Sequence, residues 1–363
     1  MNRTSTLYRG IFQAHLWGGL ALGVYALLIG VTGSVLVFHE DILDRIAPVP
    51  RIAEASTTPR FETIRAGIES HYPGWHAWSI EPPVEPGEAW GSYIQQGGAG
   101  KMVFADAEGR VVGERMSDGT WLGLVERFHS NLLLPRGRLL NGIGGLALVV
   151  LASSGMVLWW PARGAWKTAF RIVRRSSWKG WVYDLHRVGG ALSVTFVVMF
   201  GLTGGYFTWP AGYRSIAALV LPAAPSPPSA RGTTAGDRLP IDDLVAAALR
   251  TVPDTSLVRV LVPEAPPQPI TVVVAHGASA LDRRTRTSQL TMDGPTGRVL
   301  TVNDYRQRRA ADHLISWMSP VHGGRFGGLS IRILWALAGL TLPALFVTGF
   351  LMWCNRVIAP RLR

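Results

Sequence analysis

The sequence predicts a membrane protein: an all-α bundle of four transmembrane helices, with two small α+β domains outside the membrane, produced by internal duplication. Three observations predict this fold. Four long runs lack charged residues, two long polar segments lie between the runs, and the same short motifs recur at a fixed offset along the 363 residues.

Each of the four charge-free runs is long enough to cross a bilayer. A helix needs about 20 apolar residues to span the roughly 30 Å hydrocarbon layer, and lipid offers no partner to a backbone amide outside a helix. The first run is too long for the core of a signal peptide, so we expect it to be retained. The runs are residues 16–38, 139–160, 188–209 and 333–353.

Basic residues cluster on one side of the predicted spans. Between the second and third runs, seven Lys and Arg residues face a single acid, Asp184. By the positive-inside rule, this loop and both termini are cytoplasmic, in a bacterial inner membrane. We therefore interpret the net charge of +12 as contact of the basic residues with membrane lipid, and not as binding to nucleic acid. The basic residues are Arg3, Arg9, Arg163, Lys167, Arg171, Arg174, Arg175, Lys179, Arg187, Arg356, Arg361 and Arg363.

The two polar segments, residues 40–138 and 211–330, are then expected outside the membrane. Each contains an amphipathic helix pattern followed by two short β-rich runs around a turn. The same Gly-Arg-Val sequence marks both turns, which indicates two related α+β domains. The matching elements are helices at 61–71 and 241–250, and strand–turn–strand units at 101–113 and 289–301.

The helices repeat as well. In the first run, His15 precedes Gly18-Gly19, and Thr32-Gly33 follows; in the third, His186, Gly189-Gly190 and Thr203-Gly204 stand 171 positions later. The second and fourth runs carry Ser154-Gly155 and Thr348-Gly349, with His129 and His322 upstream. The pattern predicts two copies of one unit: helix, outer domain, helix.

The predicted domains follow this pattern. They are 1–39 (first span and N-terminus), 40–128 (first outer domain), 129–161 (second span with its upstream histidine), 162–185 (basic cytoplasmic loop), 186–210 (third span), 211–320 (second outer domain) and 321–363 (fourth span and C-terminus).

The repeat predicts where metal ligands meet. Two-pass repeats are parallel and are related by an axis along the membrane normal, so His15 should face His186 near the cytoplasmic surface and His129 should face His322 near the outer surface. One imidazole from each side of a planar ring is the arrangement of a bis-histidine haem. The sequence lacks Cys-x-x-Cys-His, and its only cysteine is Cys354, so two b-type haems are predicted.

Other residues are assigned around these ligands. Gly19 and Gly190 should leave room for a flat ring against a helix. Arg187 and Arg325, like Arg138 and Arg332, either pair with haem propionates or contact lipid headgroups. His39 and His313 lack a partner in the repeat; they either have ordinary roles or serve the outer haem. Zinc is a weaker candidate, because the histidines are divided two and two between the membrane faces.

Several separated motifs resemble the PepSY-associated transmembrane family over nearly the whole chain. Some members are iron-regulated membrane proteins, and the FoxB-type ferrisiderophore reductases are dihaem members. The resemblance implies that the four histidines are axial ligands and that the outer segments are PepSY-like modules. The motifs are His15-Leu-Trp-Gly-Gly, Phe128-His129-Ser, Asp184-Leu-His186-x-x-Gly-Gly and Val321-His322-Gly-Gly-Arg-Phe-Gly-Gly328.

The resulting expectation is a haem-dependent oxidoreductase that reduces a ferric siderophore, or another ferric chelate, in the periplasm and so releases Fe(II). No strand-linked Gly-x-Gly-x-x-Gly is present, so the electron donor is expected to be a separate flavin reductase or a quinol. Two other classes stay open: a non-enzymatic PepSY membrane protein that binds or regulates a periplasmic partner, and a transporter.

Overall fold

A computed structural model of the protein describes residues 5–52, 60–115, 120–173, 177–224, 236–264 and 268–357. The predicted basic residues Arg3, Arg174, Arg175, Arg361 and Arg363 lie outside these ranges. The chain forms two compact units. We call them the bundle unit (Met1–His39, Leu124–Tyr213 and Met318–Arg363) and the sheet unit (Glu40–Gly123 and Arg214–Trp317).

The helices and strands are numbered in chain order. The helices are α1 (Thr6–Leu36), α2 (His39–Ile46), α3 (Phe61–His71), α4 (Trp121–Asn131), α5 (Gly137–Trp159), α6 (Trp166–Ala169), α7 (Trp178–Thr208), α8 (Pro210–Val220), α9 (Ile241–Thr251), α10 (Asp282–Thr285), α11 (Ala310–His322) and α12 (Leu329–Val357). The strands are β1 (His76–Glu81), β2 (Trp90–Gln96), β3 (Ala99–Ala105), β4 (Val111–Arg115), β5 (Ser256–Leu261), β6 (Ile270–Ala275), β7 (Thr287–Met292) and β8 (Val299–Asn303).

The four predicted spans are confirmed as α1, α5, α7 and α12, each long and apolar enough to cross a membrane. All four begin before their charge-free runs, because a helix continues into the interfacial region where charged side chains are tolerated. Large apolar side chains such as Val24, Val150 and Leu192 are exposed along them, as expected of surfaces that meet lipid.

Small residues bring the spans into close contact. A Cβ added at Gly30 of α1 would lie 2.7 Å from the carbonyl oxygen of Gly339 on α12, and one at Gly201 of α7 would lie 2.6 Å from that of Gly145 on α5. Ser34 donates hydrogen bonds to the carbonyls of Gly30 and Ala336 at 2.7 and 2.9 Å. Glycine at these crossings allows the backbones to approach, which is the main source of helix association in lipid.

The predicted elements of the sheet unit are confirmed. The helix predicted at 61–71 is α3, and the one at 241–250 is α9, which ends one residue later. The two strand–turn–strand patterns are β3–β4 and β7–β8. The order of elements after α1 is therefore similar to the order after α7.

The expected separation into two outer domains is not what the strands show. All eight form one antiparallel sheet, in the order β4-β3-β2-β1-β5-β6-β7-β8. The two halves join where Ser79 and Ile80 of β1 pair with Leu261 and Val260 of β5. An unpaired strand edge exposes hydrogen-bonding groups, and joining β1 to β5 covers one edge of each half. Hydrophobic alternation within a strand does not reveal such a partner.

The helices on the sheet cap each other. Asp242 of α9 accepts hydrogen bonds from the backbone amides of Phe61 and Glu62 at 2.9 and 3.1 Å. Glu62 of α3 accepts one in return from the amide of Ile241 at 3.3 Å. Each carboxylate thus satisfies amides at the beginning of the other helix, where the helix dipole also favours negative charge.

Glu62 also belongs to an ion-pair network. It accepts hydrogen bonds from Arg65 and Arg238, the latter at 3.0 Å. Burial favours the protonated form of Glu62, but the hydrogen bond and charge of Arg65 and the charge of Arg238 outweigh it, and the pKa of Glu62 lies below its usual value. The ionised carboxylate therefore contributes to the stability of the sheet unit.

Candidate functional site

The structure brings the four predicted histidines together as two facing pairs. The first histidine pair is His15 of α1 and His186 of α7, with ring centroids 6.4 Å apart and planes at 77°. The second histidine pair is His129 of α4 and His322 of α11, with centroids 6.2 Å apart and planes at 50°. His15 and His186 lie on spans, whereas His129 and His322 lie on the shorter helices α4 and α11.

Each imidazole is held by a hydroxyl group of a neighbouring helix. In all four cases the ring nitrogen involved is Nδ1, and the hydroxyl belongs to a Ser or Thr that precedes a glycine. The pairs are His15 with Ser154 at 2.9 Å, His129 with Thr32 at 3.0 Å, His186 with Thr348 at 3.0 Å, and His322 with Thr203 at 2.9 Å.

The direction of these hydrogen bonds follows from the hydroxyl groups. Thr32 and Thr203 donate to the carbonyls of Leu28 and Met199 in their own helices, each at 2.7 Å. Ser154 and Thr348 donate in the same way, also at 2.7 Å. Since each hydroxyl proton is used, the hydroxyl oxygen accepts from the Nδ1–H of the histidine.

This arrangement selects the tautomer of each histidine. With the proton on Nδ1, the lone pair is on Nε2, as a metal-ligating imidazole requires. A donor bond from the other ring nitrogen to a fixed acceptor is also what orients histidine ligands in metalloproteins. All hydrogen bonds found for these four rings within the described ranges are at Nδ1.

The glycine after each hydroxyl residue makes room for the imidazole. A Cβ added at Gly33 would lie 2.8 Å from Cε1 of His129, and one at Gly155 would lie 2.9 Å from Cε1 of His15. The corresponding distances are 3.1 Å from Gly349 to His186 and 3.4 Å from Gly204 to His322. The Ser/Thr-Gly dipeptide therefore both binds the ring and allows it to lie against the helix.

The spacing within each pair fits a planar macrocycle ligated on both faces. An imidazole nitrogen lies about 2 Å from a transition metal, with the ring centre roughly 1.2 Å beyond it, so two axial imidazoles have centroids about 6 Å apart. The observed 6.4 and 6.2 Å agree with this distance. The residues present thus fit the axial ligands of two haems.

The two pairs are well separated along the bundle. Helix α1 carries His15 of the first pair and, seventeen residues later, Thr32, which binds His129 of the second. A helix rises about 1.5 Å per residue, so the pairs lie roughly 25 Å apart along the helix axis. This separation is close to the hydrocarbon thickness of a bilayer.

The structure also locates the predicted neighbours of the ligands. A Cβ at Gly19 would meet no described atom within 4 Å, and one at Gly190 would meet only a methyl group of Leu345 at 3.7 Å. Packing within the described chain does not require glycine at either position. Gly324, in contrast, has φ of +66° and lies against Trp335, so it serves a turn as well as providing space.

The predicted arginines make contacts within the protein. Arg187 donates to the carbonyls of Ala169 and Arg171 at 2.6 and 3.0 Å, and it lies 3.5 Å from buried Asp184. Arg138 donates to the carbonyl of Phe207 at 2.9 Å. Arg325 lies close enough for its charge to lower the pKa of Glu126, a smaller effect than that of His39. A role of Arg187 or Arg325 at a haem stays a prediction.

The remaining histidines lie outside both pairs. His39 is 3.5 Å from Glu126, and the ring of His313 packs edge-on against Tyr305. The other three contact groups of the sheet unit. They are His71, beside Tyr72, His76, bonded to Val262, and His276, bonded to Ser288.

Sequence reasoning missed the role of the Ser/Thr-Gly dipeptides. It used them only to align the two copies. A small hydroxyl residue followed by glycine in all four spans is a detectable signal, but its meaning depends on which histidine each dipeptide meets, and that is a tertiary contact.

A family comparison agrees with the architecture. The profile of the PepSY-associated TM region matches residues 12–356, which include all four spans, both histidine pairs and the sheet unit. No curated protein matches the chain. Because the match covers most of the sequence, the chain belongs to the PepSY-associated TM family.

Proposed function

We propose that the chain is a dihaem electron-transfer protein of a bacterial inner membrane, which reduces a ferric siderophore or another ferric chelate in the periplasm. The observation that carries this proposal is the geometry of the two histidine pairs. In each, two imidazoles face one another about 6 Å apart, with both Nδ1 atoms bonded to hydroxyls and both Nε2 lone pairs available.

The proposal includes an internal duplication. Matching motifs at an offset of 171, similar element order and four Ser/Thr-Gly contacts of one kind support it. Parallel two-pass repeats bring equivalent residues to equal depth on opposite sides of an axis. On this basis the outer half-sheets are two PepSY-like modules that share one sheet.

The proposed topology places the termini and the loop between α5 and α7 in the cytoplasm, since basic residues concentrate there. The first histidine pair then lies near the cytoplasmic surface and the second near the periplasmic surface. Their separation of roughly 25 Å spans the hydrocarbon layer.

Bound haem would supply a reversible one-electron centre at each pair, since the protein offers axial ligands and sets the potential. His15 and His186 would orient the centre that accepts electrons from a flavin reductase or quinol. His129 and His322 would orient the centre that delivers one electron to each Fe(III). Reduction to Fe(II) weakens binding by hard oxygen ligands, so the metal would leave the chelate.

The spectrum of the purified protein tests the proposal. We expect a red protein with two low-spin haems per chain, whose absorption bands sharpen on reduction with dithionite. His186→Ala should remove the first haem and His322→Ala the second, while His71→Ala, at an exposed histidine of the sheet unit, should keep both.

Reduction of a ferric hydroxamate chelate, followed with a ferrous-specific dye in proteoliposomes, tests the substrate class. We expect reduction by wild type and its loss in both ligand variants. Colourless wild type from haem-replete cells would refute the proposal and favour a binding protein or a transporter.

A further inference from the structure

The ligands of the second histidine pair need support that the first pair does not. His15 and His186 lie within the spans α1 and α7, so bundle packing positions them directly. His129 lies two residues before the end of α4, His322 is the last residue of α11, and neither helix is a span. Short helix ends fray easily, so the backbone at these two ligands must be held by other groups.

At His129 the support is polar. Asn141 of α5 donates from Nδ2 to the backbone carbonyl of His129 at 2.6 Å. The hydroxyl of Tyr25 on α1 donates to Oδ1 of the same amide at 2.7 Å. Since the backbone carbonyl of His129 can only accept, the NH₂ group faces His129 and the amide oxygen faces Tyr25. Two spans therefore hold the carbonyl of the ligand residue through one side-chain amide.

At His322 the support is aromatic. Trp335 of α12 donates from Nε1 to the carbonyl of Val321 at 2.6 Å, directly before the ligand. Trp335 is only 8% exposed, and its ring packs edge-on against Phe196 at 5.7 Å and Phe326 at 4.9 Å. Gly324, at φ of +66°, completes the turn against the same ring. Packing thus fixes the direction of the indole N–H.

The two supports occupy corresponding positions in the two halves. Asn141 stands thirteen residues before Ser154, and Trp335 stands thirteen before Thr348. Tyr25 stands seven residues before Thr32, as Phe196 does before Thr203. The position of the donor is retained, but the accepting carbonyl shifts from the histidine itself to the residue before it. The chemistry differs as well: an amide with a phenol in one half, an indole with a phenyl ring in the other.

We propose that Asn141 and Trp335 are positioning residues of the second haem site, which hold the backbone at His129 and His322 and thereby the rotation of both imidazoles. The proposal rests on the proposed function. A residue that acts through a ligand in this way alters metal affinity by about 10- to 100-fold when lost. Because neither residue supports a ligand of the first pair, the effect is confined to one of two haems in the same molecule.

The test uses the full-length protein in detergent and variants that remove single donors. Asn141→Leu removes the amide N–H at the same branching pattern, Trp335→Phe removes the indole N–H together with part of the ring, and Tyr25→Phe removes only the hydroxyl that orients Asn141. Ser153→Ala is the matched control, since Ser153 lies on α5 and, among the described residues, its hydroxyl bonds to the carbonyl of Val149 in its own helix alone. Haem content, low-spin EPR g values and the midpoint potential of each haem are measured.

We expect at least a tenfold faster loss of the second haem to apomyoglobin, or a shifted EPR signal of that haem, in the Asn141 and Trp335 variants. Tyr25→Phe should shift the second signal while both haems stay bound, and the first haem should match wild type throughout. If the EPR signal and midpoint potential of the second haem were unchanged in haem-loaded Tyr25→Phe and Trp335→Phe, this inference would be overturned but the proposed function would not. Equal disturbance of both haems would have the same consequence. A wild type without haem would refute the proposed function itself.

Discussion

The two histidine pairs reach nearly the same spacing by different routes. In the first pair both histidines are part of helices long enough to span a membrane, and their partners Ser154 and Thr348 lie on the other two spans. In the second pair both histidines lie on the short helices α4 and α11, and the spans supply the hydroxyls of Thr32 and Thr203. The centroid distances nevertheless differ by only 0.2 Å between 6.4 and 6.2 Å.

The difference shows that the spans act as a frame for both pairs. Helix α1 carries a ligand of the first pair and a hydroxyl for the second, and α7 does the same. Each of these rigid helices therefore connects the two pairs, so that a displacement of the helix at one pair also displaces it at the other. At the second pair, where neither histidine lies on a span, Asn141 and Trp335 add side-chain hydrogen bonds to backbone carbonyls.

The largest effect is expected from the glycines that contact the imidazoles. Gly33→Ala places a methyl group 2.8 Å from Cε1 of His129, whereas Gly204→Ala places one 3.4 Å from Cε1 of His322. On the proposed function, we expect Gly33→Ala to weaken binding of the second haem on the order of 100-fold and Gly204→Ala to have little effect, although both glycines contact imidazoles of the second histidine pair. The rate at which haem is transferred from each variant to apomyoglobin measures this effect.

Folding provides the control for the glycine variants. Alanine is favoured over glycine in a helix by about 1 kcal/mol, so general loss of helix stability does not explain a weaker site. The same Cβ at Gly155 lies 2.9 Å from His15, and Gly155→Ala should therefore affect the first haem alone. Equal haem retention by Gly33→Ala and Gly204→Ala would contradict the prediction from the contact distances.

A smaller effect is expected from the hydroxyl groups. Thr203→Val removes the acceptor for His322 at constant shape, and we expect roughly tenfold weaker haem binding and a shifted midpoint potential, with Thr203→Ser close to wild type. Ser154→Ala should have less effect, because the carbonyl of Leu151 lies 3.2 Å from Nδ1 of His15 and remains available. A larger change in haem binding or midpoint potential in Ser154→Ala than in Thr203→Val would contradict this prediction.

The smallest effect concerns the sheet unit, whose β4 and β8 precede the helices that carry the second pair. The pKa of Glu62 is lowered in the folded protein, so its contribution is complete above the unfolded value of about 4.3 and disappears as pH falls through the folded value. Glu62→Gln should cost on the order of 1 kcal/mol at pH 7, given partial exposure of the ion pairs. Thermal melts between pH 3 and 7 should show the two proteins converging in acid.

Asp243→Asn is a matched control for that experiment, because Asp243 is in the same turn as Asp242 at the beginning of α9. It should lower the melting temperature less than Glu62→Gln at pH 7. A constant difference between wild type and Glu62→Gln down to pH 3 would mean that the ionised carboxylate is not what stabilises the unit.

Much of the architecture was predictable because it depends on short-range patterns. Charge-free runs of helix-spanning length located α1, α5, α7 and α12, since lipid excludes charge whatever the tertiary structure. Recurrent His, Thr-Gly and Gly-Gly motifs identified the four histidines that the structure pairs. Periodicity also located α3 and α9, because their buried faces follow helical spacing.

Contacts between distant segments could not be read in this way. Strand alternation states which face of β1 is buried but not that its edge pairs with β5, so the single sheet was unexpected. The pairing of each hydroxyl with its histidine, and the bond of Asn141 or Trp335 to a carbonyl, join residues that are up to 162 positions apart. Local patterns are imposed by the surrounding solvent and lipid, whereas these contacts exist only after the helices have packed in one particular arrangement.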